Sequence, residues 1–199
     1  MMKTTLNISL LLCLFLFAGC LTLEQSIQFK ENGTLVASYT ASDPVEQEQA
    51  IQAVMETSLA RKGLPPASFT DKTSTAAFYA EHGAELTLHR KSVHNGVTTI
   101  QMMVIAKQAS RAIAQGAFGE MRLKAVDEKV RLEIPLPKIS PELKERAQKF
   151  CKGFTTTLTI ETPGKLISHN GKQLAADKVT WALTLDDTPP TELFAEWSE

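Results

Sequence analysis

The residue whose setting most clearly implies chemistry is Cys20. It follows Leu16-Phe17-Ala18-Gly19 and closes an N-terminal segment of distinctive build. Residues 1–5 hold one cation, Lys3, and no acid, residues 6–17 are mostly apolar, and Ala18 and Gly19 are small. The apolar run has the length of a signal core and is shorter than the roughly 20 residues that span a bilayer. Small residues let the backbone lie in a peptidase cleft, so a cut between Gly19 and Cys20 is expected. The thiol of Cys20 is then the nucleophile that takes a diacylglyceryl group. At about 0.8 kcal/mol per buried methylene, two or three chains of the palmitate kind make a stable anchor, whereas one does not.

The stretch resembles the bacterial lipobox, with Phe17 standing where Leu is usual and Leu16 one step earlier. The alternative is an ordinary secretory signal cut nearby, which leaves Cys20 a thiol able to pair with Cys151. Otherwise Cys13 leaves with the signal, lipid consumes Cys20, and Cys151 remains alone, with no disulfide framework. Cys151 lies in a helical stretch beside Phe150 and reads as a half-buried structural thiol. The histidines, His82, His89, His94 and His169, make no zinc spacing with one another or with cysteine. No Gly-x-Ser-x-Gly, P-loop or dinucleotide fingerprint occurs, so no catalytic residue, cofactor or metal ligand is assigned and an enzyme is not expected.

The chain carries 21 Lys+Arg against 22 Asp+Glu. A balance this near neutral lacks the basic excess of a nucleic-acid binder. The expected partners are membrane lipid through acylated Cys20 and a bound lipid or an envelope protein. The expected location is the exported side of the cell envelope, with inner and outer membrane both open.

Residues 1–19 read as the signal, 20–26 as a short tether, 27–187 as one domain and 188–199 as a tail forming a short helix. Within the domain, Asn32-Gly33 turns a hairpin over 27–41. A three-residue loop, Glu31-Asn32-Gly33, pairs Phe29 with Leu35 and Ile27 with Ala37 and gathers the apolar side chains on one face. Asp43-Pro44-Val45-Glu46 opens a helix that Gly63 ends. A second helix runs from about Ser74 to Glu81 and stops at Gly83. The same three-residue register over 84–105 sets Leu88 opposite Met102 and Leu86 opposite Val104. An Ala-rich helix near 107–115 follows. A third hairpin turns at Asp127-Glu128, with Leu123 facing Leu132 and Ala125 facing Val130. Ser140-Pro141-Glu142 opens a helix to about Lys152 whose alternating charges, Glu142 to Lys152, read as a solvated face. Asn170-Gly171 closes a hairpin of Leu166 with Leu174, and Trp181 shares a core face with Val179, Leu183 and Leu185. These elements add up to an α+β fold: an antiparallel sheet of about seven to eight strands built from hairpins, with three to four helices on one face.

Pro163-Gly164-Lys165, Asn170-Gly171-Lys172 and Val179-Thr180-Trp181 together resemble the C-terminal signature of the LppM-type bacterial lipoprotein family. The resemblance covers the lipobox and about 20 C-terminal residues; elsewhere it is one of coarse layout. It implies an α+β fold with a curved sheet, similar to lipid-binding helix-grip domains, and no established reaction. Members often carry a C-terminal membrane helix, and residues up to Glu199 contain no such run. Read for their own chemistry, Pro163, Gly164, Asn170 and Gly171 are turn formers and Trp181 is core.

Two functions follow. One is a lipid- or amphiphile-binding module that grips an apolar ligand between sheet and helix, helped by adaptable Met102, Met103 and Met121. The other is a structural or interaction lipoprotein with a filled core and an apolar tail patch at Leu193, Phe194 and Trp197, removable without unfolding the domain.

Overall fold

A computed structural model describes residues 22–44, 71–136, 155–184 and 191–198, with scattered positions at 141–153 and 186–190. Gly19, Cys20 and Cys151 lie outside the described residues. So do the expected helix beyond Pro44 and most of the one expected over 140–152.

The described elements are β1 (Thr22–Phe29), β2 (Leu35–Pro44), α1 (Lys72–Glu81), β3 (Glu85–His94), β4 (Val97–Ala106), α2 (Ala109–Ala114), β5 (Arg122–Val126), β6 (Lys129–Pro135), β7 (Thr155–Glu161), β8 (Leu166–His169), β9 (Lys172–Ala175), β10 (Lys178–Thr184) and β11 (Glu192–Ser198). The class is α+β, but the strands form two sheets rather than one. The larger runs β3-β4-β2-β1-β7-β10-β9 and the smaller β5-β6-β11-β8. The sheets are antiparallel except that β1 pairs parallel with β7. Two helices, not three or four, stand among the described residues.

The first hairpin has the register its apolar pattern demands. Phe29 faces Leu35 and Ile27 faces Ala37. Gly33 N–H donates to Lys30 O, 3.0 Å, and Gly33 takes φ +75°, the bulged left-handed position of a three-residue loop. The third hairpin also matches, with Leu123 facing Leu132 and Asp127 and Glu128 both at positive φ.

The second hairpin differs. Asn95 and Gly96 both adopt positive φ and make a two-residue turn, so His94 faces Val97. Leu88 therefore faces Met103 rather than Met102. A bulge at Thr87 then returns Leu86 to Val104. The turn chemistry won over the apolar pattern, and Leu88 is left exposed.

Alternation gives each sheet one dry face, and the two dry faces meet. Ile27, Phe29, Leu158, Ile160, Val179 and Trp181 of the larger sheet share a core with Val130, Leu132, Leu166, Leu193, Ala195 and Trp197 of the smaller. The Phe29 and Trp197 rings lie 5.3 Å apart across the join. α1 begins at Lys72, two residues before the expected start, and is capped by Asp71, whose Oδ1 accepts from Ser74 N–H at 2.6 Å. It buries Tyr79 against the same core.

The expected tail helix is a strand. β11 sits between β6 and β8, with Leu193 and Trp197 each 2% exposed. Leu193, Phe194 and Trp197 therefore make no surface patch. The core extends past residue 187, and the tether ends sooner than residue 26, because β1 begins at Thr22.

Candidate functional site

The motif residues of the last third meet at the seam between the sheets. β8 belongs to the smaller sheet and β9 to the larger, so Asn170-Gly171 carries the chain across and closes no hairpin. The expected partner of Leu166, Leu174, is an exposed residue of the other sheet. Asn170 Oδ1 accepts from Trp181 Nε1–H and from the Phe194 N–H, both at 3.0 Å. Its Nδ2 donates to Glu192 O at 2.8 Å. One amide thus ties β10 to β11. Gly171 lies under Trp181: a Cβ there would sit 2.6 Å from the indole Cε2 and 2.7 Å from Val179 Cγ2.

At the other end of β8, a Cβ on Gly164 would run into the Ser198 carbonyl oxygen of β11. Pro163 precedes it directly. Buried Thr162 lies beside them, its Oγ1 2.7 Å from Gly164 O and 3.1 Å from Asp177 O. Pro163, Gly164, Asn170, Gly171 and Trp181 form a structural clasp. Glycine is required at both ends by close approach of another strand, which the sequence alone read as turn chemistry.

The fold is similar to that of the LppM folded domain. The NMR structure of that Mycobacterium tuberculosis domain matches this chain with a TM-score of 0.51 at 12% identity, covering 89% of each chain. At such identity the likeness is one of fold. No family model matches the sequence, and no curated protein matches it.

Against this fold, other chemistry-bearing residues fall into place. The histidines are dispersed. His82 Nδ1 lies 2.7 Å from Phe78 O and its ring stacks on Phe78 at 4.3 Å. His169 Nδ1 is 3.0 Å from Gly171 O, within the clasp. Among the described residues no three His, Cys, Asp or Glu gather as a metal site would require. Local pattern does not reveal a buried tyrosine pair, Tyr39 on β2 and Tyr79 on α1, whose hydroxyls hydrogen-bond. Burial raises Tyr39 well above the usual phenol range and pushes Tyr79 up to about 12. Both are neutral at physiological pH, and their bond fastens α1 to the sheet.

A recess of about 390 Å³ opens beside α2, lined by Ile113, Met121 and Leu123 with Ser110, Glu120 and Arg122 around them. The turn from 115 to 120 shapes it, with Gly116 and Gly119 at positive φ. Its size falls within the range of small-ligand sites, and its lining mixes apolar side chains with both signs of charge.

Proposed function

We propose that the protein is a cell-envelope lipoprotein, held on a membrane by acylated Cys20, that displays a solid two-sheet domain to envelope or host partners. The observation that carries this reading is the start of β1. Thr22 lies two residues after Cys20 and opens a strand interior to the larger sheet. An acyl anchor there would hold the sheet within about 7 Å of the headgroups. The side chains filling the space between the sheets favour a solid domain over one that grips a ligand there. The fold likeness to the LppM domain supports a lipoprotein. Among the described residues no helix is long and apolar enough to cross a membrane. The test is the mass of the N-terminal peptide from membranes of cells making the full chain. A peptide starting at diacylglyceryl Cys20 is expected, and Cys20→Ser should abolish it. An unmodified mature N-terminus, or a disulfide to Cys151, overturns the reading.

A second reading is that the recess at Ile113, Met121 and Leu123 takes one amphiphile chain, with Arg122 beside its polar head; its apolar floor favours this. Native mass spectrometry of detergent-extracted protein should then show a bound lipid that Leu123→Trp removes. Bare protein in both refutes it.

A further inference from the structure

The larger sheet has two ends, and register shows which of them the N-terminus occupies. Thr22 belongs to a row of hydroxyl residues running straight across six strands: Ser92, Thr99, Ser42, Thr22, Thr155 and Thr184. Thr22 is the first residue of β1. From Ser92 the chain continues outward to Val93, His94 and the Asn95-Gly96 turn. The β3–β4 turn therefore lies at the end of the sheet where β1 begins. Three strand spacings of about 4.8 Å separate β3 from β1, so the β3–β4 tip lies about 15 Å to the side of the start of β1, two residues along the sequence from Cys20.

The composition of that tip is one-sided. Residues 86–106 contain no Asp or Glu but hold Arg90, Lys91, His89 and His94. Arg90, Lys91 and His94 are exposed, and Val93 is 61% exposed. Two acids stand nearby among the described residues: Asp71 at the start of α1, within electrostatic reach of His89, and Asp43, which faces Thr98 and so shares the row of Val93 two strands away. The turn itself is fixed by positive φ at both Asn95 and Gly96. An exposed β-branched residue beside cations, on a tight hairpin at the sheet end where β1 begins, has the chemistry of a surface that meets lipid headgroups.

We propose that the β3–β4 hairpin tip docks on the anionic phospholipid surface of the membrane that carries the anchor. Val93 enters the headgroup layer, and Arg90 and Lys91 meet lipid phosphates. This second contact fixes the tilt of the domain, which one acylated residue leaves free. The inference rests on the anchoring of Cys20 proposed above.

The test places a photo-crosslinking amino acid at Val93, or at Leu174 as a control, in the full chain in bacterial cells. Leu174 is also well exposed, at 53%, but lies at the far end of the sheet, where Ala175 faces Lys178 and Lys178 faces Glu161. Phospholipid capture about tenfold higher at 93 than at 174 is expected, and the Arg90→Glu, Lys91→Glu pair should cut it several-fold. The N-terminal peptide of the same samples reports acylation. Acylated Cys20 with no excess capture at 93 overturns the docking and leaves the anchor standing. Capture at 93 with unmodified Cys20 supports the docking and removes the anchor. Absence of both overturns both, and a protein captured at 93 in place of lipid overturns the docking.

Discussion

Replacing Asn170 with Ala should destabilise the domain by about 3 kcal/mol, because one amide serves three partners. The contacts to Phe194 N–H and Glu192 O are exposed, so water takes over and each loss amounts to about 0.5 kcal/mol. The Trp181 indole N–H is different. Trp181 is only 6% exposed, and an orphaned donor there adds about 2 kcal/mol. For a domain of this size the shift in Tm is roughly 10 °C. Urea titration followed by tryptophan fluorescence measures it, since both tryptophans, Trp181 and Trp197, lie in the core. A double-mutant cycle isolates the cause. Trp181→Phe removes the donor, so Asn170→Ala should cost about 2 kcal/mol less in that background. If the two changes simply add, or if Asn170→Ala alone costs less than about 1 kcal/mol, the clasp does not hold the sheets as argued.

The chain has two tyrosines, Tyr39 and Tyr79, so phenolate absorbance near 295 nm reports the buried pair alone. Their raised folded values make the neutral forms part of the fold. The stability they contribute is full below pH 10 and is lost as pH rises towards about 12. Phenolate should therefore appear together with unfolding, and a reversible titration near pH 10 in folded protein would refute the pairing. Gly171→Ala should cost about 2–3 kcal/mol, because its Cβ meets the Trp181 ring and Val179. Gly33→Ala has open space and only its φ of +75° to strain, so it should cost about 1 kcal/mol by urea titration. Equal losses at the two sites would contradict the close approach at Gly171.

Local pattern carried the parts of the fold that are local. Phe29 with Leu35 and Leu123 with Leu132 pair as alternation and turn length dictate. The β3–β4 hairpin shows the limit, because the preference of Asn95-Gly96 for a two-residue turn conflicted with apolar pairing and a bulge at Thr87 absorbed the difference. Which sheet a strand joins was not legible. Leu166 and Leu174 flank an Asn-Gly pair that looks like a hairpin turn, yet they join different sheets, because alternation shows that a strand has a dry face but not what covers it. The tail strand is hidden from local pattern for a related reason. Glu192–Ser198 alternates perfectly in burial, but its partners, β6 and β8, are remote in sequence. Of the candidate site, the identities of Gly164, Asn170, Gly171 and Trp181 were visible, while their common role needed β11 in place.

The position of β11 between β6 and β8 also constrains how the chain reaches its folded state. Until residues 192–198 have emerged, β6 and β8 both present open edges, and the seam carried by Asn170 has no opposite strand. An exported chain, as proposed above, would cross a membrane without being able to complete its smaller sheet early, which would keep it threadable. A copy ending before Thr191 would expose two unpaired edges beside an apolar core, a form prone to aggregation and to proteolysis rather than a trimmed, working domain.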